Sequence, residues 1–456
     1  MKQVILGLIL LSGWAGFAQA QTFDLINDRL YEPLIASEMS HNARSLGLGG
    51  VSVAIVHDGS ALWYNPAALA RVPRLEVLGG ASHTDLNSTS LPLGVRPVAP
   101  PPSVSPRAKS MAQARGGSLY ASFPIRTYRG ALTIGLGVAV TNDLNRILAG
   151  RLDFAPGDFV DTLDDSPGNV IAEQIEEFVF HERQTGQVHA VQLGFGIAVS
   201  PRMSFGATGV YYNGTLQFNN YTRFSGTRFE EPNPGIPVTW EFNTLTSEKM
   251  QGGGAHLGWL WFPRNNIGLG LTAKTPTILE VDIEQYFTEE RDSSGAIEYF
   301  EPTTTRKITL PGSVTFGGSW RLGPLLLAGD IAVTDWSQTE YSKTDYALVT
   351  NNAMSQTYRL AGSAGAGVEL TIPPIGAALR AGVRLDELPY DTQYVVQDRI
   401  TWSGGLGLLL QRTWAIDLGV AHSTYRGGNP LYGFDEGYGK WTILLTAAFR
   451  PAGKLW

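Results

Sequence analysis

Cysteine is absent from the 456 residues, which excludes a disulfide framework and a lipid-anchored start. Charge is scarce as well. Asp, Glu, Lys and Arg make up 16% of the chain, and the formal net charge of -7 leaves no basic surface of the kind nucleic acid requires. Long apolar runs are also missing: beyond residue 20 no stretch approaches the roughly 18 uninterrupted apolar residues of a spanning helix, so the chain is either soluble or crosses a membrane as strands. Catalytic signatures are lacking too, with no HExxH, no G-x-S-x-G elbow and no phosphate loop. The histidines at 41, 57, 83, 181, 189, 256 and 422 show no metal spacing. Ser82 and His83 are sequence neighbours and would point to opposite faces of a strand, which argues against a hydrolase pair. Neither catalysis nor a cofactor nor a metal is expected.

Glycine and aromatics are plentiful, with 53 Gly, 11 Trp and 17 Tyr. That mixture fits a barrel whose small lumen-facing residues alternate with lipid-facing ones and whose aromatics form interfacial girdles. Residues 1–20 read as a signal peptide, with Lys2 as n-region, Val4 to Phe17 as h-region and Ala18-Gln19-Ala20 as cleavage site. The helix and strand alternation of soluble multidomain chains is lacking. The implied division is a signal peptide at 1–20, an N-terminal plug at 21–73 and a transmembrane β-barrel at 74–456.

The barrel rests on a two-residue period. Ile308, Leu310, Val314, Phe316 and Trp320 share one face, and Thr309, Ser313, Thr315, Ser319 and Arg321 share the other. The pattern recurs at Val191 to Val199, Leu132 to Val140, Trp414 to Val420 and Trp441 to Phe449. Strands at 74–86, 116–125, 130–142, 185–200, 203–218, 247–262, 266–283, 305–321, 324–341, 357–372, 376–388, 397–411, 412–424 and 439–450 give an all-β antiparallel barrel of about fourteen. Tight connections alternate with long ones at 87–115, 143–184, 219–246, 284–304, 342–356, 389–396 and 425–438. Short periplasmic turns and long outer loops produce this asymmetry, which a soluble sandwich has no need of. Asn87 to Arg115 carries Pro92, Pro97, Pro100, Pro101, Pro102 and Pro106 and reads as an exterior loop. Within 158–182, Val170, Ile171, Gln174, Ile175, Phe178 and Val179 fit one helical face and predict an amphipathic helix.

Asn42 to Leu69 is the densest stretch of small and turn-forming residues. Gly47, Gly49 and Gly50 permit close approaches, and Val51, Val53 and Ile55 alternate like a short strand. Ser60 or Asp58 is placed to cap a short helix that Asn65-Pro66 interrupts. A fourteen-strand bore is too wide for side chains alone to fill, so this segment is expected inside it as a hatch, with Asn65 hydrogen-bonded to the wall. On the wall, lipid-facing Tyr358, Leu360, Val368 and Leu370 would turn Arg359 and Glu369 inward, and lipid-facing Leu379, Val383 and Leu385 would turn Arg380, Arg384 and Asp386 inward. Hairpin pairing then brings Glu369 to Arg380. A charge facing mid-bilayer lipid costs roughly 2–4 kcal/mol, so inward placement is favoured. These charges either brace the plug and wall or bind a ligand carboxylate, and Arg384 is the better ligand candidate because its partner is less obvious.

Three places resemble the FadL/TodX outer-membrane transport family. Asn65-Pro66-Ala67 within DGSALWYNPAAL is similar to the family's hatch motif. ITLPGSVTFGGSW through LLLAGDIAVTDWSQTEY is similar to its central hairpin, and RAGVRLDELPYDT to its C-terminal third. The resemblance implies passive uptake of hydrophobic small molecules, long-chain fatty acids or aromatic hydrocarbons, across the lipopolysaccharide-bearing outer membrane of a Gram-negative bacterium. It also implies a lateral opening at a kinked early strand, for which Gly135 and Gly137 in the third strand offer a place. The implied partners are a hydrophobic ligand and outer-membrane lipid and lipopolysaccharide, with no nucleic acid and the chain a monomer. A plugged barrel serving a secretion or surface-assembly complex is the alternative function. The chain runs past Phe449 to Trp456, so either aromatic could serve as the assembly signal.

Overall fold

The computed structural model describes residues 40–91, 103–105, 108–125, 127, 130–153, 160–166, 169–230, 233–291, 297–343, 351–352, 354–356, 358–389, 395–411, 413–429 and 434–451. The signal peptide with its cleavage site, the plug residues before 40, the prolines from Pro92 to Pro102, Pro106 and the terminal Trp456 lie outside the described residues.

The period-two runs become strands because each has one face that can leave water and one that need not. Val191, Leu193 and Phe195 point outward at 44%, 62% and 46% exposure, while Ala190 and Gln192, which alternate with them, are fully buried. Fourteen antiparallel strands close into a barrel. They are β1 Glu76–Leu91, β2 Ala108–Ile125, β3 Ala131–Asp143 with its continuation Arg146–Asp153, β4 Asn169–Ser200, β5 Met203–Glu230, β6 Asn233–Arg264 and β7 Ile267–Lys274 with Thr277–Arg291. The circle continues with β8 Ile297–Leu310 with Ser313–Leu322, β9 Leu325–Asp335 with Glu340–Ser342, β10 Leu360–Ile372, β11 Ala377–Asp386, β12 Val395–Leu410, β13 Trp414–Asn429 and β14 Phe434–Phe449. Pairing of β1 with β14, from Val77 opposite Phe449 to Leu91 opposite Asp435, closes it. The exterior carries a belt of apolar side chains including Leu136, Phe195, Phe316, Ile331, Trp402 and Leu445. That belt is the lipid-facing surface of a transmembrane barrel.

The wall is of uneven height. β4 and β6 run for 32 residues and β5 for 28, whereas β10 has 13 and β11 only 10. At about 3.3 Å per residue, β4 is on the order of 100 Å long, several times what a bilayer requires. Much of what the sequence suggests as outer loops at 143–184, 219–246, 284–304 and 425–438 is therefore strand. The helix expected around Asn169 to Phe180 is the outer end of β4, hydrogen-bonded to Val160–Ser166 on one side and to β5 on the other. Its Ile, Val and Phe content suits a pleated surface as well as a helical stripe, and two available partner strands decide the outcome.

Ahead of β1, residues 40–73 form α1 Ala43–Gly47, α2 Ala61–Tyr64 and a 3-10 helix Pro66–Arg71. No strand forms at Val51, Val53 and Ile55. All three are buried, and so are Ser52 and Ala54 between them, so the alternation separates no faces. These residues lie against the inner faces of the strands. Added Cβ atoms at inward glycines around the ring would strike them: Gly135 meets Leu62 at 3.1 Å, Gly196 the Pro66 carbonyl oxygen at 2.7 Å, Gly270 the Val53 carbonyl oxygen at 2.6 Å and Gly367 the Leu48 carbonyl oxygen at 2.5 Å. Glycine at these wall positions is what lets the plug backbone lie directly on the strands. Gly135 and Gly137 make room for Leu62 and Tyr120, and the register of β3 is regular through both; its irregularity comes later, between Val140 and Asn142.

Candidate functional site

The plug is folded by its own turn residues and fastened to the wall by hydrogen bonds. Asn42 caps α1, its side-chain oxygen accepting from the Arg44 N–H at 2.8 Å and its amide donating to Asp58 at 2.7 Å and Ser60 at 3.1 Å. Asp58 accepts from both the backbone and the hydroxyl of Ser60, which fixes the start of α2. Gly49 and Gly50 have φ of 72° and 77°, and a Cβ at Gly49 would lie 2.6 Å from the Val383 carbonyl oxygen. Gly47 sits against Gly405 of β12, and Gly50 lies beside the Arg384 guanidinium.

Asn65-Pro66-Ala67 joins α2 to the 3-10 helix and the plug to the barrel. The Asn65 side-chain oxygen accepts from the Ala67 N–H at 3.2 Å, while its amide donates to the Val53 carbonyl at 2.8 Å and to the Trp259 carbonyl of β6 at 3.1 Å. Pro66 occupies the first helical turn, where its missing N–H costs nothing. All three residues are buried.

Of the sequence-predicted charges, Glu369 and Arg380 meet, with Arg380 Nε donating to Glu369 at 2.8 Å and Nη1 to Asp417 at 2.6 Å. The residue that completes this network is Arg44 of the plug, which donates to both Glu369 oxygens at 2.7 and 2.9 Å. Arg44 was not singled out from sequence; a basic side chain in a segment expected to lie against an inward carboxylate was the available signal. Asp330 of β9 makes a second weld by accepting from the N–H groups of Ser52 and Val53 at 2.6 and 3.1 Å. Arg384 faces inward as expected, donating to Asp386 and Ser363, each at 2.7 Å. Arg359 lies just before β10, its guanidinium donating to the Leu388 carbonyl at 3.4 Å. Tyr358 is a correction: it is buried and packs within the bore cluster, because β10 begins only at Leu360 and the alternation does not extend back to it.

Above the plug the bore is apolar on consecutive strands. Registered rows run Ala190, Tyr212, Gly252, Leu279 and Ile308, then Val188, Gly214, Met250, Val281 and Arg306, then Gly186, Leu216, Glu248, Ile283 and Thr304 across β4 to β8. The floor is Trp63, with the His41 and His256 rings 4.6 and 5.0 Å from it and the Lys274 ammonium 4.2 Å above its face. One ion pair sits among these apolar residues: Arg306 donates to Glu248 at 3.3 Å and lies 5.7 Å from the Tyr341 ring. Farther out the row is mixed, Gln184, Phe218, Thr246 and Gln285, and beyond it an aromatic ladder crosses the inner wall from Phe178 through Phe224, Phe242 and Phe287 to Tyr299, with centroids 4.6 to 6.1 Å apart.

The wall is not continuous. β2 and β3 pair from Ile125 opposite Leu132 to Ser118 opposite Ala139 and then part. From Val140 to Gly150 β3 is paired with β4 only, and among Ala139 to Gly150 only Asn142 and Arg146 are not buried; at Arg151–Asp153 the short strand Ser103–Ser105, just ahead of β2, pairs with it again and bounds the parting. The parting is braced on the inside by Asp143, which lies 3.1 Å from Arg115 and 3.0 Å from Lys440, and by Arg146 against Glu436 at 2.6 Å.

No family model matches the chain, and neither does any curated protein. Among solved structures the chain is similar to a FadL homologue from Pseudomonas aeruginosa, at 14% identity over 91% of this chain and 100% of that one, with a TM-score of 0.58. It is also similar to the P. putida toluene transporter TodX, at 12% identity over 90% and 99%, with a TM-score of 0.60. A third is the CymD monoaromatic hydrocarbon channel, at 13% identity over 92% and 99%, with a TM-score of 0.56. At these identities the likeness is one of fold, and it spans essentially the whole of each structure.

Proposed function

We propose that this chain is a FadL/TodX-type channel that conducts hydrophobic small molecules passively across the outer membrane of a Gram-negative bacterium. The observation that carries the reading is the apolar inner face above Trp63. Water-filled barrels line their bore with polar groups, whereas here Val188, Val210, Met250, Val281 and Ile308 turn inward and form one cluster. A hydrophobic ligand is drawn to such a surface and a hydrated solute is not. Two of the structural neighbours, the toluene transporter TodX and the monoaromatic hydrocarbon channel CymD, are in keeping with this chemistry.

The route follows from the remaining geometry. Ligand first meets the Phe178 to Tyr299 ladder, moves to the apolar rows and stops at the plug, which closes the straight path. Release is sideways at the β2–β3 parting, and Asn65-Pro66-Ala67 is the clasp that holds the plug as the floor of the bore. The test is uptake of a radiolabelled monoaromatic hydrocarbon by cells with and without the protein, alongside Val281→Asp. Uptake that depends on the protein and is lost in Val281→Asp at normal surface abundance supports the channel; equal uptake in all three strains overturns it.

A further inference from the structure

The substrate class can be narrowed by how the bore holds its charges, an inference that rests on the channel reading above. We infer that the ligand is electrically neutral and that Glu248 is the residue that excludes carboxylates. Glu248 is fully buried on β6, between Thr246 and Met250 on its own inner face and opposite Leu216 and Ile283 on the adjoining strands. Arg306, with 8% of its side chain exposed, lies opposite Val281 and takes Glu248 as its acceptor. A guanidinium in this apolar patch is the group a ligand carboxylate would seek. Its counter-charge is already built in.

A carboxylate ligand reaching Arg306 would have to displace Glu248 and leave that carboxylate uncompensated in a dry site, or share the guanidinium with a like charge a few ångströms away. Both are costly, because breaking a buried pair strands a charge that water no longer solvates. Other inward cations also contact carboxylates: Arg44 and Arg380 are balanced by Glu369 and Asp417, and Arg146 by Glu436, while Asp143 takes both Arg115 and Lys440 and Asp386 both Arg384 and Arg399. Lys274 at the floor lies on the face of Trp63. A neutral hydrocarbon or alcohol disturbs none of these pairs.

The experiment compares two ligands with one skeleton, 1-decanol and decanoate, by equilibrium dialysis at pH 8 against detergent-solubilised full-length protein, with empty micelles as reference. Wild type is expected to bind decanol and to bind decanoate at least about tenfold more weakly. Glu248→Gln, which leaves Arg306 without its carboxylate, should raise decanoate binding by on the order of tenfold with little change for decanol. Glu248→Gln combined with Arg306→Gln should return the ratio toward wild type, which separates charge from misfolding, and heat-modifiable migration reports the fold of each variant. Equal binding of both ligands by wild type, an unchanged ratio in Glu248→Gln, or decanoate binding that disappears in Lys274→Met overturns the inference. Binding of neither ligand by folded wild type overturns the channel reading itself.

Discussion

Arg44 and Glu369 lie 325 residues apart in sequence and 2.7 Å apart in space, and theirs is the ion pair that ties the plug to the short strand β10. The pair is mostly buried, with 13% and 5% of the two side chains exposed, and Arg380 and Asp417 complete a group of two cations and two anions. Such a group is stable as a unit and vulnerable in its parts, since deleting one member leaves a buried charge with nothing to balance it.

Glu369→Gln therefore should loosen the plug. It leaves Arg44 and Arg380 facing each other with Asp417 as their remaining carboxylate, a loss of about 3–5 kcal/mol by analogy with other buried pairs. Cells carrying it should admit small hydrophilic solutes that wild type excludes, measured by antibiotic sensitivity at matched surface abundance. Arg44→Met with Glu369→Gln should leak less than the single variant, because no unbalanced pair of cations remains at full charge. Unchanged permeability in the single variant would remove this contact from the holding of the plug.

Asn65→Ala tests the clasp from inside the plug. The substitution leaves the Val53 and Trp259 carbonyls and the Ala67 N–H without the partners that the side chain supplies, at about 1–3 kcal/mol for each group that stays buried and unsatisfied. Hydrocarbon uptake should fall while the barrel still forms and migrates normally on gels. Asn65→Asp is the informative companion: it keeps an acceptor for Ala67 but loses the donor to the two carbonyls, so it should resemble Asn65→Ala. Wild-type uptake in both would confine the tripeptide to shaping the chain.

The strand number, most outward faces and the tight turns were legible because lipid on one side and an occupied bore on the other impose a two-residue period; Ile308 and Val140, which the period groups with lipid-facing neighbours, are instead buried, Ile308 because the strand breaks between Leu310 and Ser313 and the phase changes there. Above the belt that constraint ends. The outer halves of β4 to β6 meet water outside and Phe178, Phe180, Phe224, Trp240 and Phe242 inside, and a run such as Asn169 to Phe180 then reads equally well as a helical stripe. The glycines and Asn65-Pro66 marked residues 42–69 as a segment apart from the strands, but its contacts were not legible. Val51 to Ile55 is buried on every side, so no periodicity can mark it, and the partner of Arg44 is set by barrel closure, which no local window contains.

Orientation is tested with two positions in this cysteine-free chain. Phe300 is 71% exposed near the long-connection end of β8, and Ile375 is 66% exposed in the turn between β10 and β11. With the tight turns in the periplasm, Phe300→Cys should react with a membrane-impermeant maleimide on intact cells and Ile375→Cys only after permeabilisation. The reverse pattern would invert the topology.

Arg384 separates bracing from ligand recognition. It donates to Asp386 and Ser363 and flanks Gly50 of the plug, so its geometry is that of a brace. Arg384→Ala should lower uptake of a neutral hydrocarbon and of its carboxylate analogue by a similar factor. A selective loss of the carboxylate would return Arg384 to the role of a ligand contact.

Sideways release makes its clearest demand at Gly116. This residue lies on the outer face of β2, two positions beyond Ser118, where pairing with β3 stops, and a Cβ built there meets nothing within 4 Å. It sits opposite Ala81 of β1, which in turn sits opposite the lipid-facing Leu445 of β14, so the open space is within the apolar belt. Gly116→Trp would fill the outside of the parting without touching the bore, the plug or the ion pairs. Ligand binding by the purified variant should match wild type while uptake by cells falls several-fold. Leu385→Trp, on an outward position of β11 that is 52% exposed, is the control for a bulky aromatic in the belt and should transport normally. If the two tryptophan variants take up hydrocarbon at the same rate, the exit does not lie between β2 and β3, and the plug itself must open.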